Sequence, residues 1–309
     1  MLIRETPAEV SPQVWMLGTA AYPVYLVRGE REGAIVEGGI SALGPILDRQ
    51  LHDLGVLPGY LRQLIVTHAH PDHVMAIPAL RERFPGLAVV ASAGAASTLG
   101  VEKAVAFFRQ IDTALAESLV KAGRLAETSP PPLAENRIAV DRVVRDGDVI
   151  AVDDRTFTVL ETPGHSDCSI SLHDPAHGVL IISDASGYFM PSEDGTHAWW
   201  PNYFSDYAAY VRSMERLATL DAEILCLSHN GVIRGRDDVR AYLAGAIDAT
   251  RQYHQRIVAE AAAGKPVRQI AEELGAEIHA QAAVLPLDFF QKNCGLLVKQ
   301  SLKQEGIGK

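Results

Sequence analysis

The sequence predicts an α/β protein made of two sheets with helices outside, followed by a helical C-terminal extension. Three observations carry this. Short β-type runs separated by turn residues open the chain, strands then alternate with helical segments, and beyond residue 235 only helical periodicity remains. With 309 residues, 48% of them apolar, there is material for a large core in one or two domains. We place a sheet domain at 1–235, with a helical insertion at about 94–128, and a helical extension at 236–309.

Each element has its own signal. "VWMLG", "VYLVR" and "GAIVEG", between residues 14 and 38, are separated by Pro23, Gly29 and Gly33, as antiparallel strands joined by turns would be. Ser41 can cap a helix running to Leu54. "RQLIVT" reads as a buried strand, "HVMAIPALRERF" as a helix blurred by Pro78, and "AVVAS" as another strand. Val101, Val105, Phe108, Ile111, Leu115 and Leu119 recur three or four apart and predict a helix over 101–122, ending near Gly123 and the loop "TSPPP". Strands resume with "NRIAV", a turn at Asp146 and Gly147, "DVIAV", "TFTVLE", "SISLH" and "VLIIS". A helix over 205–219 and the strand "EILCLS" follow. Val239, Leu243, Ile247, Tyr253 and Ile257 then line one face of a long helix, with Asp237 or Asp238 near its start and Gly264 at its exit. Two more helices are expected at about 266–274 and 286–302.

Composition narrows the function classes. Lys and Arg number 28 against 38 acidic residues, a net charge of −10 spread along the chain, which argues against nucleic-acid binding. The opening "MLIRETPAEVSPQ" lacks a basic end followed by an apolar stretch, and no segment approaches the length of a membrane span, so we expect a cytoplasmic protein with no membrane association. Cys168, Cys226 and Cys294 are odd in number and lack C-x-x-C spacing, so they read as reduced thiols.

The chemistry concentrates in "LIVTHAHPDH", residues 64–73. Side chains two apart on a strand share a face, so His68 and His70 can leave its end together and converge on one ion. Pro71 suits the opening of a helix, which would carry Asp72 and His73 in its first turn, aimed differently and able to hold a second ion. Further donors follow other apolar strands: His165 in "VLETPGHSD", Asp184 in "VLIISDA" and His229 in "ILCLSHNG". Residues at strand ends of a layered α/β protein meet on one edge, where clefts form.

These motifs, T-H-x-H-x-D-H, T-P-G-H-S, a lone aspartate after a strand and a final S-H-N-G, resemble the metallo-β-lactamase fold family of metallohydrolases over residues 13 to about 235. The resemblance implies a four-layer αββα sandwich. It also implies that His68, His70 and His165 hold one metal, that Asp72, His73 and His229 hold the other, and that Asp184 bridges them. His70 stands where the oxygen-reducing diiron branch would carry a glutamate. His52, His173, His177, His197, His254 and His279 fall outside the pattern and read as ordinary core or surface groups.

A set of imidazoles and carboxylates without thiolate suits zinc or iron, with manganese as a third candidate. Two such divalent ions would share a hydroxide that attacks an acyl carbonyl, with Asp72 or Asp184 orienting it and relaying its proton. Tyr188, in "SDASGYF", can donate a hydrogen bond to the oxyanion or simply line the pocket wall. Cys226 reads as packing and Cys168 as filling space behind the ligands. "HAWWPNYF" is a loop that either grips an acyl group or packs in the core. Arg234 and Arg236 would meet a phosphate-bearing group such as coenzyme A, or serve as surface residues.

"AIVEGGIS", "HSD" after Gly164, "YVRSMERL" and "GVIRGR" are similar more specifically to the quinolone-signal response type of acyl-thioesterase within that family. This implies a small-molecule acyl substrate carried as a thioester, with an ester or lactone second. It also leaves open a homodimer through the tail and a regulatory protein partner, with hydrolysis vestigial in that case. Tyr188 replaces a glutamate of that branch, so its particular substrate does not carry over. A persulfide dioxygenase-like enzyme of the same fold would hold one iron, which the intact set Asp72, His73 and His229 argues against.

Overall fold

The computed structural model describes residues 1–121, 123, 125, 136–192, 197–281 and 285–307. Two short strands, β1 (Leu2–Ile3) and β2 (Ala8–Ser11), precede β3 (Val14–Gly18), β4 (Pro23–Arg28) and β5 (Gly33–Val36). Then come α1 (Gly44–Asp53), β6 (Leu61–Ile65), α2 (Pro71–Val74), α3 (Ile77–Arg83), β7 (Ala88–Ser92), α4 (Ala93–Leu99), α5 (Glu102–Lys121) and β8 (Arg142–Val144). The strands β9 (Val149–Val152), β10 (Arg155–Glu161), β11 (Ile170–Asp174) and β12 (Val179–Ser183) lead to the hairpin β13 (Tyr188–Met190) and β14 (Ala198–Trp200). Last are α6 (Tyr207–Ala218), β15 (Ile224–Leu227), β16 (Val232–Arg234), α7 (Arg236–Ala262), α8 (Val267–Gln281) and α9 (Leu287–Gln304).

The chain divides into two compact units. The first comprises Met1–Glu161, Cys168–Ser183 and Ala222–Arg236 and contains two seven-stranded sheets. One runs β2-β3-β4-β5-β6-β7-β8, antiparallel as far as β5 and parallel beyond it. The other runs β1-β16-β15-β12-β11-β10-β9, with one parallel pair, β12 and β15. Alternate residues of both sheets form a single core, Met16, Tyr25, Val36, Ile65 and Val90 from the first, and Phe157, Val159, Leu172, Ile181 and Cys226 from the second. The Tyr25 hydroxyl crosses that core to donate to the Leu227 carbonyl. Helices α1 and α4 pack on the first sheet, against β3 and β7.

The second unit comprises Thr162–Asp167, Asp184–Asp221 and Asp237–Lys309. Its core joins Trp200, Tyr203, Tyr210 and Met214 to the inward faces of α7, α8 and α9, among them Ile247, Ile257, Leu274 and Leu297. Asp206 caps α6 by accepting from the Ala209 N–H at 2.7 Å. Buried Gly275 lets α8 approach α9, because a Cβ there would lie 2.6 Å from the backbone of Gln291.

Several expectations are corrected. Ser41 caps no helix: it opens the 3₁₀ turn Ser41–Leu43, and its hydroxyl donates to Asp112 on α5. "HVMAIPALRERF" is two helices, since Pro78 serves the opening of α3. "NRIAV" is no strand; the Ile138 N–H donates to the Leu99 carbonyl at the end of α4, and β8 begins at Arg142. The turn expected at Asp146 and Gly147 forms, with Gly147 at φ 82°, and it joins strands of different sheets. Within "HAWWPNYF", Ala198–Trp200 is β14, paired with β13. Helix α8 extends seven residues past the expected end at 274, to Gln281. "TSPPP" lies outside the described residues.

Candidate metal centre

The chain leaves β6 through a bend before entering α2. Val66 still donates to the Val90 carbonyl, and the Thr67 carbonyl accepts from Ile170, at 2.8 Å each, so the bend hangs on strands of both sheets. His68 and His70 therefore lie past the strand, and the bend brings them together instead of strand alternation. Their ring centroids are 4.6 Å apart, with His68 Nε2 3.1 Å from His70 Nδ1. His70 keeps extended dihedrals at the N-cap of α2, and Pro71 opens the helix, which puts Asp72 and His73 in its first turn as expected.

His73 is oriented from behind. Its Nδ1 lies 3.0 Å from Glu37 Oε2, a buried carboxylate just past β5 that also accepts from Thr67 Oγ1 at 2.7 Å. Its Nε2 lies 3.5 Å from Asp72 Oδ2. His229 follows β15 and donates from Nδ1 to the Ala21 carbonyl at 2.7 Å, while its Nε2 is also 3.5 Å from Asp72 Oδ2. The Asn230 N–H donates to Ala20, and the Tyr22 ring meets His229 edge-on at 5.3 Å, so the 19–22 turn buttresses this histidine.

His165 and Asp184 complete the set. His165 donates from Nδ1 to the Asn202 carbonyl at 2.9 Å and directs Nε2 at Asp184 Oδ2, 3.2 Å away. Gly164 before it has φ 130°, and a Cβ there would lie 2.3 Å from the Tyr210 backbone, so only glycine fits. Asp184 follows directly on β12 and is buried.

The donor atoms fall into two groups. Those of His68, His70, His165 and Asp184 lie within 4.8 Å of one another, as do those of Asp72, His73 and His229. This arrangement fits divalent cations. His165 and His229 give their Nδ1 protons to carbonyl oxygens, and His73 Nδ1 faces a carboxylate. That tautomer leaves Nε2 of each as the lone-pair donor on the cluster side. Without thiolate, the set is of borderline-to-hard character.

The remaining candidates sort by their contacts. Cys168 Sγ accepts from Ala69 N–H at 3.4 Å, and its Cβ lies 2.9 Å from where Gly94 would carry one, a packing position. Cys226 is fully buried, which pushes its thiol well above the ordinary range. Tyr188 begins β13, its ring 6.4 Å from Trp200, packed on the core of the second unit. Trp200 is 6% exposed against Phe204 and Phe290, and so belongs to the core. Arg234 donates to the Val10 carbonyl at 2.6 Å, and Arg236 lies 3.9 Å from Glu223, so both are engaged structurally. Sequence reasoning missed Glu37, Thr67, Asn202 and Tyr22. The one available signal was a glutamate between the apolar run "AIV" and two glycines.

Comparison with known proteins follows the same lines. The sequence profile of the Metallo-beta-lactamase superfamily matches residues 18–229. Acyl-coenzyme A thioesterase MBLAC2 of Gallus gallus is 28% identical over 213 residues; the match covers 64% of this chain and 66% of that relative, just under two thirds of its length. Hydroxyacylglutathione hydrolase of Chelativorans is 29% identical over 121 residues, 39% of this chain and 32% of the relative. The crystal structure of a metallo-beta-lactamase family protein from Thermus thermophilus superposes with a TM-score of 0.65 at 21% identity, covering 96% of this chain and 95% of that one, a likeness of fold alone.

Proposed function

Because the chain belongs to the metallo-beta-lactamase superfamily, we propose that it is a two-metal hydrolase of acyl thioesters, with esters or lactones as secondary substrates. The observation that carries this reading is the convergence of seven side chains, placed after four apolar strands, into two compact groups of donor atoms. Relatives named for acyl-coenzyme A and hydroxyacylglutathione hydrolysis support the acyl class.

His68, His70, His165 and Asp184 would hold one ion, and Asp72, His73 and His229 the other, with zinc or iron as the metal the donors suit. Bound there, divalent ions supply Lewis acidity toward a carbonyl oxygen and lower the pKa of a coordinated water from about 15.7 to about 7. The chain's own groups do the rest. The Asp184 side chain is 6% exposed and that of Asp72 24%, so the Asp72 carboxylate is the better position for taking a proton from water and releasing it. A water oxygen bonds to the carbonyl carbon, the carbon–sulfur bond breaks, and the thiolate leaves with the proton that Asp72 held. Tyr188, four residues beyond Asp184, is the proposed hydroxyl donor to the oxyanion.

The test combines metal analysis of the purified protein with turnover of short and long acyl-coenzyme A thioesters. About two ions per chain are expected, and His68→Ala or Asp184→Asn should abolish turnover. Undiminished turnover in both variants, or after complete metal removal, would overturn the reading.

A further inference from the structure

Asp112 is a buried carboxylate of the first unit that belongs to neither donor group. Asp112 lies in the middle of α5, and both its oxygens accept from Ser41, Oδ1 from the backbone N–H at 2.9 Å and Oδ2 from the side-chain hydroxyl. Among the described residues it has no ion pair. Burying a carboxylate without a cation is unfavourable, and that burial, together with the like charge of nearby Asp72, pushes its carboxyl above the ordinary range.

Ser41 is the far end of a turn that grips α2. Glu37 accepts from the His73 ring, the Gly38 N–H donates to the His73 carbonyl at 2.7 Å, and the Gly39 carbonyl accepts from Met75 and Ala76 at 2.9 and 3.2 Å. No side chain fits at Gly38, whose Cβ would lie 2.8 Å from the His73 carbonyl oxygen. Residues 37–39 thus hold His73 from its imidazole to its backbone, and Ser41 anchors them to α5. That helix packs on both the Ser41–Leu43 turn and α2.

We propose that Asp112 is a positioning residue for the second metal site: through Ser41 it fixes the 37–41 turn, and through that turn the ligand His73. The proposal rests on the reading that Asp72, His73 and His229 hold an ion. It gives the insertion helix a defined task, since α5 brings the carboxylate that completes the turn around a ligand it does not itself contain.

The experiment measures both metal dissociation constants by chelator competition with Zn²⁺, and the visible spectrum with Co²⁺, for wild type, Asp112→Ala, Ser41→Ala and Ser41→Thr. Loss of the anchor is expected to weaken the ion of the Asp72, His73 and His229 group about tenfold, the lower end of what losing a ligand's direct partner costs, and to change its Co²⁺ bands while sparing the other ion. Ser41→Ala provides the reading should Asp112→Ala fail to fold. Ser41→Thr, which keeps the N–H and hydroxyl, should restore wild-type binding. Two ions bound with unaltered constants and spectra in the variants overturn the inference alone, even if melting temperature falls. Equal weakening of both ions does the same. A wild type that takes up no second ion overturns the two-metal reading and this inference with it.

Discussion

At the scale of single residues, the centre is defined as much by what stands behind each imidazole as by the imidazoles themselves. His73, His165 and His229 each meet an acceptor at Nδ1: a carboxylate for the first, carbonyls for the other two. A proton held there keeps Nε2 available as a lone-pair donor. Glu37 sets a carboxylate, where the other two imidazoles meet a neutral carbonyl, against that ring. Glu37→Gln keeps the size and removes the charge, so we expect about a tenfold or greater loss of affinity for the second ion, measured by chelator competition, and unchanged affinity would refute the role. The candidate ligands stand out in the sequence because each belongs to a short local motif, four of them in the run from His68 to His73. Glu37 does not, because its partners Thr67 and His73 stand 30 and 36 positions away, and a glutamate after a strand has no meaning until they are in contact.

Among the elements, the sequence is read well where one period runs unbroken and poorly where a residue has two uses. The apolar runs of β4, β6, β10 and β12 and the spacing of α5 appear where periodicity puts them. Ser41 is an acceptable cap by type, but the buried Asp112 carboxylate competes for its hydroxyl and N–H and wins. Pro78 signals a break in one helix and equally the start of another. On α7, Arg256 meets Glu260 one turn ahead and, across the helix pair, Glu277 of α8 at 2.7 Å, while Lys265 between the helices meets Glu260 and Glu273. The Arg256 guanidinium holds the Glu277 carboxyl below its ordinary 4.5. A lowered carboxylate stabilises the fold fully above that ordinary value and loses its contribution as pH falls through the lowered one. Glu277 is half exposed, so Glu277→Gln should cost only about 0.5 kcal/mol at neutral pH. That difference should vanish in melts below the lowered value; a difference independent of pH would exclude the ion pair as its source.

For the whole molecule, the ligands arrive from segments far apart in the chain, and ions that bind only the folded protein stabilise it by mass action. At free metal one hundred times the dissociation constant the gain is about 2.7 kcal/mol. We therefore expect chelation to lower the melting temperature by several degrees and added Zn²⁺ to restore it, read by calorimetry; coincident melts of stripped and loaded protein would contradict this. The sequence by itself determined the class of the fold, the strands after which the candidate ligands lie and the types of those residues. Apolar periodicity and the run from His68 to His73 are local properties, unaffected by the rest of the chain. Only the tertiary structure decided which partner orients each imidazole, that Arg234 serves a backbone carbonyl, and that Asp112 reaches the turn behind His73. Those depend on contacts such as that between Ala21 and His229, 208 positions apart, which exist only once the sheets have packed.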